Sequence, residues 1–408
     1  MTIKSRLCDL AIFGAPPAFS DKLHVGRPNI GSKERLLERI SSILESRWLS
    51  NDGPSVQELE HVLAKFLGVR HCVATCNATV ALEIVIRALG LEGEVIVPSF
   101  TFIATAHALQ WQGITPVFCD VAPRTHTLDP QQVERLITPR TSGIVGVHLW
   151  GRPCEIEGLT EIARQHRLKL LFDAAHAFAC THRGQMIGNF GAAEVFSLHA
   201  TKFFTSAEGG VIATNDDKLA AKVKLMRNFG FAGFDNVVEV GTNGKMSEMS
   251  AAMGLVSFES LDEFIAANRR NYLRYRTEFE NLPGIQLISY DERESNNYQY
   301  VVVEVDETLT RIARDEMLEV LLAENIIARR YFYPGCHRME PYRSLYPSAG
   351  MTLPATEELS RRVLVLPTGP ALSSNDVATI CRIIRTVVSL SSEIHHSRSS
   401  NQRLHSRP

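Results

Sequence analysis

The sequence predicts an α/β protein, with a large unit built on a mostly parallel sheet flanked by helices and a smaller C-terminal α+β unit. Three observations lead there. Between Arg70 and Asp173 short apolar runs alternate with segments at helical spacing, the rhythm of βαβ units. A chain of 408 residues is too long for one ordinary core. Beyond residue 283 the βαβ rhythm gives way to a shorter mixture of strand-like and helical stretches.

Ahead of the sheet, "ERLLERISSILESRW" (Glu34 to Trp48) and "SVQELEHVLAKFLG" (Ser55 to Gly68) place apolar residues at helical spacing, separated by the turn formers "LSNDGP". Then "HCVATC", "EVIVPS", "TPVFCDV", "SGIVGVHLW" and "LKLLFD" read as strands, interleaved with "ATVALEIVIRALG", "FIATAHALQWQG" and "EIEGLTEIARQHR" as helices. Ser247 to Leu282 reads as one long or broken helix that links the two units. After it, "YQYVVVEV" and "IIARRYFY" are strand-like, and "RIARDEMLEVLLAEN" and "SNDVATICRIIRTVV" helical. The expected division is residues 1–250 for an N-terminal segment and the large unit, 251–282 for the link, and 283–390 for the small unit. A polar, aperiodic tail over 391–408 is expected to be disordered.

Composition narrows the partners. With 45% hydrophobic and 22% charged residues and a formal net charge of -2, nothing favours nucleic acid or an anionic membrane. Small molecules are the expected ligands. The eight cysteines are scattered without a CxxC pair, so no metal site is expected and the thiols should be reduced. No apolar run reaches the 18 or so residues of a membrane span, and no secretory leader is visible. A cytoplasmic protein is expected.

Ligands of parallel sheets bind at the carboxyl ends of strands. Strand "LKLLFD" delivers Asp173 there, followed by His176 in "AAHA", and "SLHATKFFTSAEGG" (Ser197 to Gly210) carries one lysine, Lys202. Asp173 alone would serve equally as a cap. An acid at a strand end about thirty residues before a lysine in a glycine-ended loop, however, is what a pyridoxal phosphate (PLP) site requires: an amine to hold the aldehyde, and a carboxylate to keep the pyridine nitrogen protonated. After "HCVATC" a small-residue turn opens a helix at Ala78 and Thr79, suited to a phosphate, although an ordinary N-cap by Asn77 or Thr79 explains it as well. Ser197 offers a further hydroxyl, and of the two aromatics in "PSFTF" Phe100 reads as core.

The ordered set "NATVAL", "VPSFTFIATAHAL", "TPVFCDV", "VHLWGRP", "LLFDAAHAF", "SLHATKFFTSAEGG" and "GTNGKMSEMSAAMG" resembles the nucleotide-sugar aminotransferases of the fold-type I PLP enzymes, the DegT/StrS family, from about Val25 to Val388. The resemblance implies that Lys202 holds PLP, that Asp173 pairs with the ring nitrogen and that His176 lies near the ring hydroxyl. It places Ala78, Thr79 and Ser197 at the phosphate and Phe102 on the ring face. It also implies a homodimer in which Asn243 and Lys245 of "GTNGK" reach the neighbouring subunit's site. His148 and His199 are candidates for the sugar side. "ARRYFYPGCH" adds Arg329, Tyr331, Tyr333 and His337 at the mouth, without assigned roles.

A branch of this family with histidine in place of the lysine dehydrates sugars, so Lys202 favours transamination. The implied reaction carries an amino group from L-glutamate to a nucleotide-linked keto-deoxy sugar, foremost dTDP-4-keto-6-deoxyglucose at C4. A 3-keto sugar, a GDP-keto sugar and a keto-inositol are the alternatives. A nicotinamide oxidoreductase fails because "CNATVA" stands where GxGxxG is needed. A non-catalytic PLP-binding regulator is disfavoured because every catalytic position is filled.

Overall fold

The computed structural model describes residues 4–394. Two helices come first, α1 (Lys33–Ser46) and α2 (Pro54–Leu67). Gly53 gives α2 no side-chain cap; instead the Glu248 carboxylate accepts the N–H groups of Ser55 and Val56. Then follow β1 (His71–Thr75), α3 (Ala78–Ala88), β2 (Glu94–Pro98), α4 (Ile103–Gln110), β3 (Thr115–Cys119), β4 (Thr141–Val147), α5 (Ile156–His166), β5 (Lys169–Asp173), β6 (Glu194–Ser197), β7 (Gly210–Thr214) and α6 (Asp217–Arg227).

These strands form one seven-stranded sheet in the order β1-β7-β6-β5-β4-β2-β3. Only β7 runs antiparallel to its neighbours. Its side chains bury on both faces, as a helix-covered sheet requires: Ile96, Ile144, Phe172 and Phe196 in one core, Val73, Val95, Val145 and Leu171 in the other. Strand β1 is pinned at Ala74, whose N–H donates to Glu60 (2.8 Å) and whose carbonyl accepts Arg227 Nη1 (2.8 Å).

The stretch read as one long or broken helix is two, α7 (Glu248–Glu259) and α8 (Leu261–Phe279), meeting at Ser260. Beyond it an antiparallel sheet of β8 (Ile285–Leu287), β9 (Val301–Val305) and β10 (Val363–Leu366) packs with α9 (Arg314–Ala323) and α10 (Ser374–Ser389). Leu10 and Phe19 bury in this same core, and Lys4 pairs with Glu324 at 3.1 Å. The N-terminal stretch, grouped with the large unit on sequence, therefore packs on the C-terminal one. Residues 391–394 are still helical and Ile394 is buried; the remainder of the expected disordered tail lies outside the described residues. All eight cysteines are free thiols. Among the described residues no helix is long and apolar enough to cross a membrane, and no cluster of side chains suits a metal ion.

Candidate active site

The parallel strands end on one side of the sheet, and a cavity of about 600 Å³ opens there. Ala78, Thr79, Phe102, Asp173, His176, Ser197, His199, Lys202, Arg329 and Tyr331 all line it. Ten residues proposed from scattered motifs thus converge on one space.

Asn77 caps α3, its side chain accepting the Val80 N–H at 2.9 Å. The ordinary capping reading of this turn is therefore correct, yet it coexists with a cradle: Asn77, Ala78, Thr79 and Val80 of the first turn line the cavity, at the helix end that carries the positive side of its dipole. Gly210 passes so near that a Cβ there would stand 2.6 Å from the Asn77 carbonyl carbon and 2.7 Å from the Ala78 nitrogen. Phe102, 57% exposed, stands at the start of α4 over the opening, whereas Phe100 is fully buried as expected.

Asp173 is buried at the end of β5. Its two oxygens accept Thr105 Oγ1 at 2.8 Å and the Ala175 N–H at 3.1 Å. Burial nonetheless raises its carboxyl above the ordinary 3.8, because these bonds and the Lys202 charge do not fully replace water. Lys202 is half-buried, and desolvation pulls its amine down to about 8. Its Nζ donates to the Tyr300 hydroxyl at 3.3 Å. His176 is buried and pushed well below 6.5 by desolvation, so its ring is neutral. The polar rim consists of His199, which bonds Thr201 Oγ1 at 2.8 Å and lies 3.5 Å from Glu208, and Arg329, whose guanidinium sits 5.4 Å from the Tyr331 ring centre.

Five candidates are not in this cavity. His148 is fully buried, with Nε2 at 2.8 Å from Glu194 and Nδ1 accepting the Cys154 N–H. Val147 lines the cavity, so the next side chain points to the opposite face. His337 is held between Ser99 Oγ (2.7 Å) and Glu357 (2.8 Å), and Tyr333 lies outside between the guanidinium groups of Arg314 and Arg330. Asn243 and Lys245 are also outside this chain's own cavity: Asn243 bridges Asn228, and Lys245 Nζ donates to Asn228 Oδ1 at 3.0 Å. Sequence reasoning missed Tyr300, Phe332, Thr101 and Glu208, all of which line the space. Only the alternation in "YQYVVVEV" pointed to Tyr300, and it does not say which face looks on the cavity.

An amine, a buried carboxylate, a helix N-terminus and an exposed aromatic around one cavity fit the aldehyde, ring nitrogen, phosphate and ring face of PLP. Together with the doubly covered sheet they define a fold-type I PLP-dependent aminotransferase. The chain belongs to the DegT/DnrJ/EryC1/StrS aminotransferase family, whose profile it matches over residues 31–385. It is 35% identical over 365 residues to the dTDP-4-amino-4,6-dideoxy-D-glucose transaminase of Shigella dysenteriae, spanning 90% of this chain and 99% of that protein. It is 34% identical to the GDP-perosamine synthase of Caulobacter vibrioides, over 90% of this chain and 98% of that one. Its fold superposes on the crystal structure of DesI in the presence of its TDP-sugar product with a TM-score of 0.92, at 49% identity, covering 97% of this chain and 100% of that one.

Proposed function

We propose that the protein transfers an amino group from L-glutamate to C4 of dTDP-4-keto-6-deoxyglucose. The observation that carries the reading is the convergence of Lys202, Asp173 and the α3 N-terminus on one cavity. The dTDP sugar and the C4 position rest on the similarity to the Shigella transaminase and to DesI.

Bound there, PLP supplies an aldehyde that takes up the amino group and a ring that accepts electrons as the donor's α-hydrogen leaves. Asp173 holds the proton on the ring nitrogen. The first turn of α3 at Ala78 and Thr79, with Ser197, holds the phosphate, and Phe102 covers one face of the ring. Lys202 Nζ would hold the cofactor through its aldehyde carbon and, once released, would take the donor's α-proton and deliver it to that carbon. An amine near pH 8 suits both halves of that exchange. His199 and Arg329 face the substrate's charged groups.

We also propose a homodimer with shared sites. Between Asn228 and Asn243 the chain exposes Phe229, Phe231, Phe234, Val237, Val238 and Val240, with Phe234 99% accessible. So continuous an apolar run favours a protein partner, and the adjoining Asn243 and Lys245 lie outside their own cavity.

The substrate is tested by offering the enzyme, glutamate and PLP four acceptors: dTDP-4-keto-6-deoxyglucose, its 3-keto isomer, GDP-4-keto-6-deoxymannose and a keto-inositol. Amino-product formation is followed by mass. The first acceptor is expected to be preferred. Preference for the inositol overturns the sugar-nucleotide reading, for the 3-keto isomer the regiochemistry, and for the GDP sugar the nucleotide.

A further inference from the structure

Trp150 is fully buried yet has a left-handed backbone, with φ 63° and ψ 11°, a conformation that bulky residues rarely adopt and that tends to persist at functional sites. It aims the Trp150 N–H at Nδ1 of His176, 3.3 Å away, while the two rings stack with centres 5.9 Å apart. The indole Nε1 donates in turn to Nδ1 of His126 at 3.3 Å, and His126 Nε2 faces Glu304 at 3.2 Å. The segment is held from behind as well: Asn297 donates to the His176 carbonyl at 2.8 Å, and a Cβ on Gly151 would stand 2.9 Å from the Asn297 side-chain oxygen.

Both groups that Trp150 offers can only donate, so each Nδ1 that receives one is an acceptor and a neutral ring there carries its proton on Nε2. For His126 the Glu304 carboxylate confirms that placement. For His176 the proton faces the cavity. Among the described residues the sealed-off side-chain atoms without a partner are Gln299 Nε2 and Arg362 Nε; His176 Nε2, which bonds none of the described residues, is therefore open to the space its ring lines.

We infer that Trp150 is a positioning residue for the site: its backbone N–H holds His176 in the Nε2–H tautomer, so that His176 meets a bound ligand as a hydrogen-bond donor. The ligand atom is an acceptor oxygen. Under the function proposed above, on which this part of the inference rests, it is the hydroxyl oxygen of the cofactor ring.

The ¹⁵N resonances of the imidazoles in histidine-labelled apoprotein, assigned by their loss in His176→Gln and His126→Gln, read the tautomers directly. Both rings are expected to carry their proton on Nε2, and His176 is expected not to titrate between about pH 6 and 8. Trp150→Phe keeps the backbone amide and the stacked ring and loses only the indole N–H, so His176 stays locked through the amide, and His126 keeps its proton on Nε2 through Glu304. A wild-type His176 whose neutral ring is protonated on Nδ1 overturns the inference whether or not any variant folds. With PLP loaded, His176→Gln can still donate and keeps the cofactor affinity within about threefold of wild type, whereas His176→Leu weakens it on the order of tenfold; equal losses overturn the donor role. The tautomer measurement uses no cofactor, so a failed Lys202 assignment would leave it standing.

Discussion

The Nζ of Lys202, in the loop after β6, meets the hydroxyl of Tyr300, the residue before β9, at 3.3 Å. The reacting amine of one sheet is thus steadied from the other. A neutral phenol can accept from an ammonium and donate to an amine, and burial keeps Tyr300 neutral by raising its pKa. Tyr300→Phe is expected to lower kcat roughly five- to tenfold with KM for glutamate changed less than about twofold. Steady-state kinetics decide; an unchanged kcat would reduce Tyr300 to packing.

Desolvation holds the Lys202 amine near 8 against an ordinary 10.5. Only the unprotonated amine attacks an aldehyde. PLP capture by apoprotein should therefore rise with pH and reach half its maximum near pH 8, as followed by absorbance and by the lysine adduct trapped with borohydride. A midpoint near 10.5, or an adduct on another lysine, contradicts the assignment.

Asp173 has the opposite sense. Its folded pKa is raised, so ionised Asp173 opposes folding above that value, and the penalty disappears as pH falls below the ordinary 3.8. Apo Asp173→Asn should melt higher than wild type at pH 7 and level with it in strong acid. Its turnover should fall on the order of a hundredfold, because the ring nitrogen loses its anionic partner. Calorimetry across pH and a transamination assay check the two halves separately.

Gly210→Ala places a methyl group within 2.7 Å of the α3 backbone. The helix start must shift, at about 1–3 kcal/mol, and PLP affinity should drop on the order of tenfold. Fluorescence titration of apoprotein measures it; wild-type affinity would show that the cradle lies elsewhere.

Lys202→Ala and Asn243→Ala proteins, each expected to be inactive, should recover part of their activity when unfolded together and reassembled, since a mixed dimer holds one intact site. Sedimentation of a fully active monomer would rule out the shared arrangement.

Residues whose place follows from a strand end were legible in the sequence. Asp173 closes β5, Ser197 closes β6, and Ala78 and Thr79 open the helix after β1, so the parallel sheet brings them together. Residues judged on polarity alone were not. His148 looked like a sugar ligand, but one step along the strand reverses its face and delivers it to Glu194. His337 and Tyr333 share a segment with Tyr331, yet the chain turns between them. Tyr300 depended on the register of a sheet assembled from segments far apart, which no local pattern reports.

The walls of the cavity come from distant stretches, Asn77 to Gly209 on one side and Tyr300 to Phe332 on the other. A fragment ending before residue 283 would therefore keep Lys202 and Asp173 but lack Tyr300, Arg329 and Tyr331, leaving the reacting amine on an open face where water competes for every polar contact.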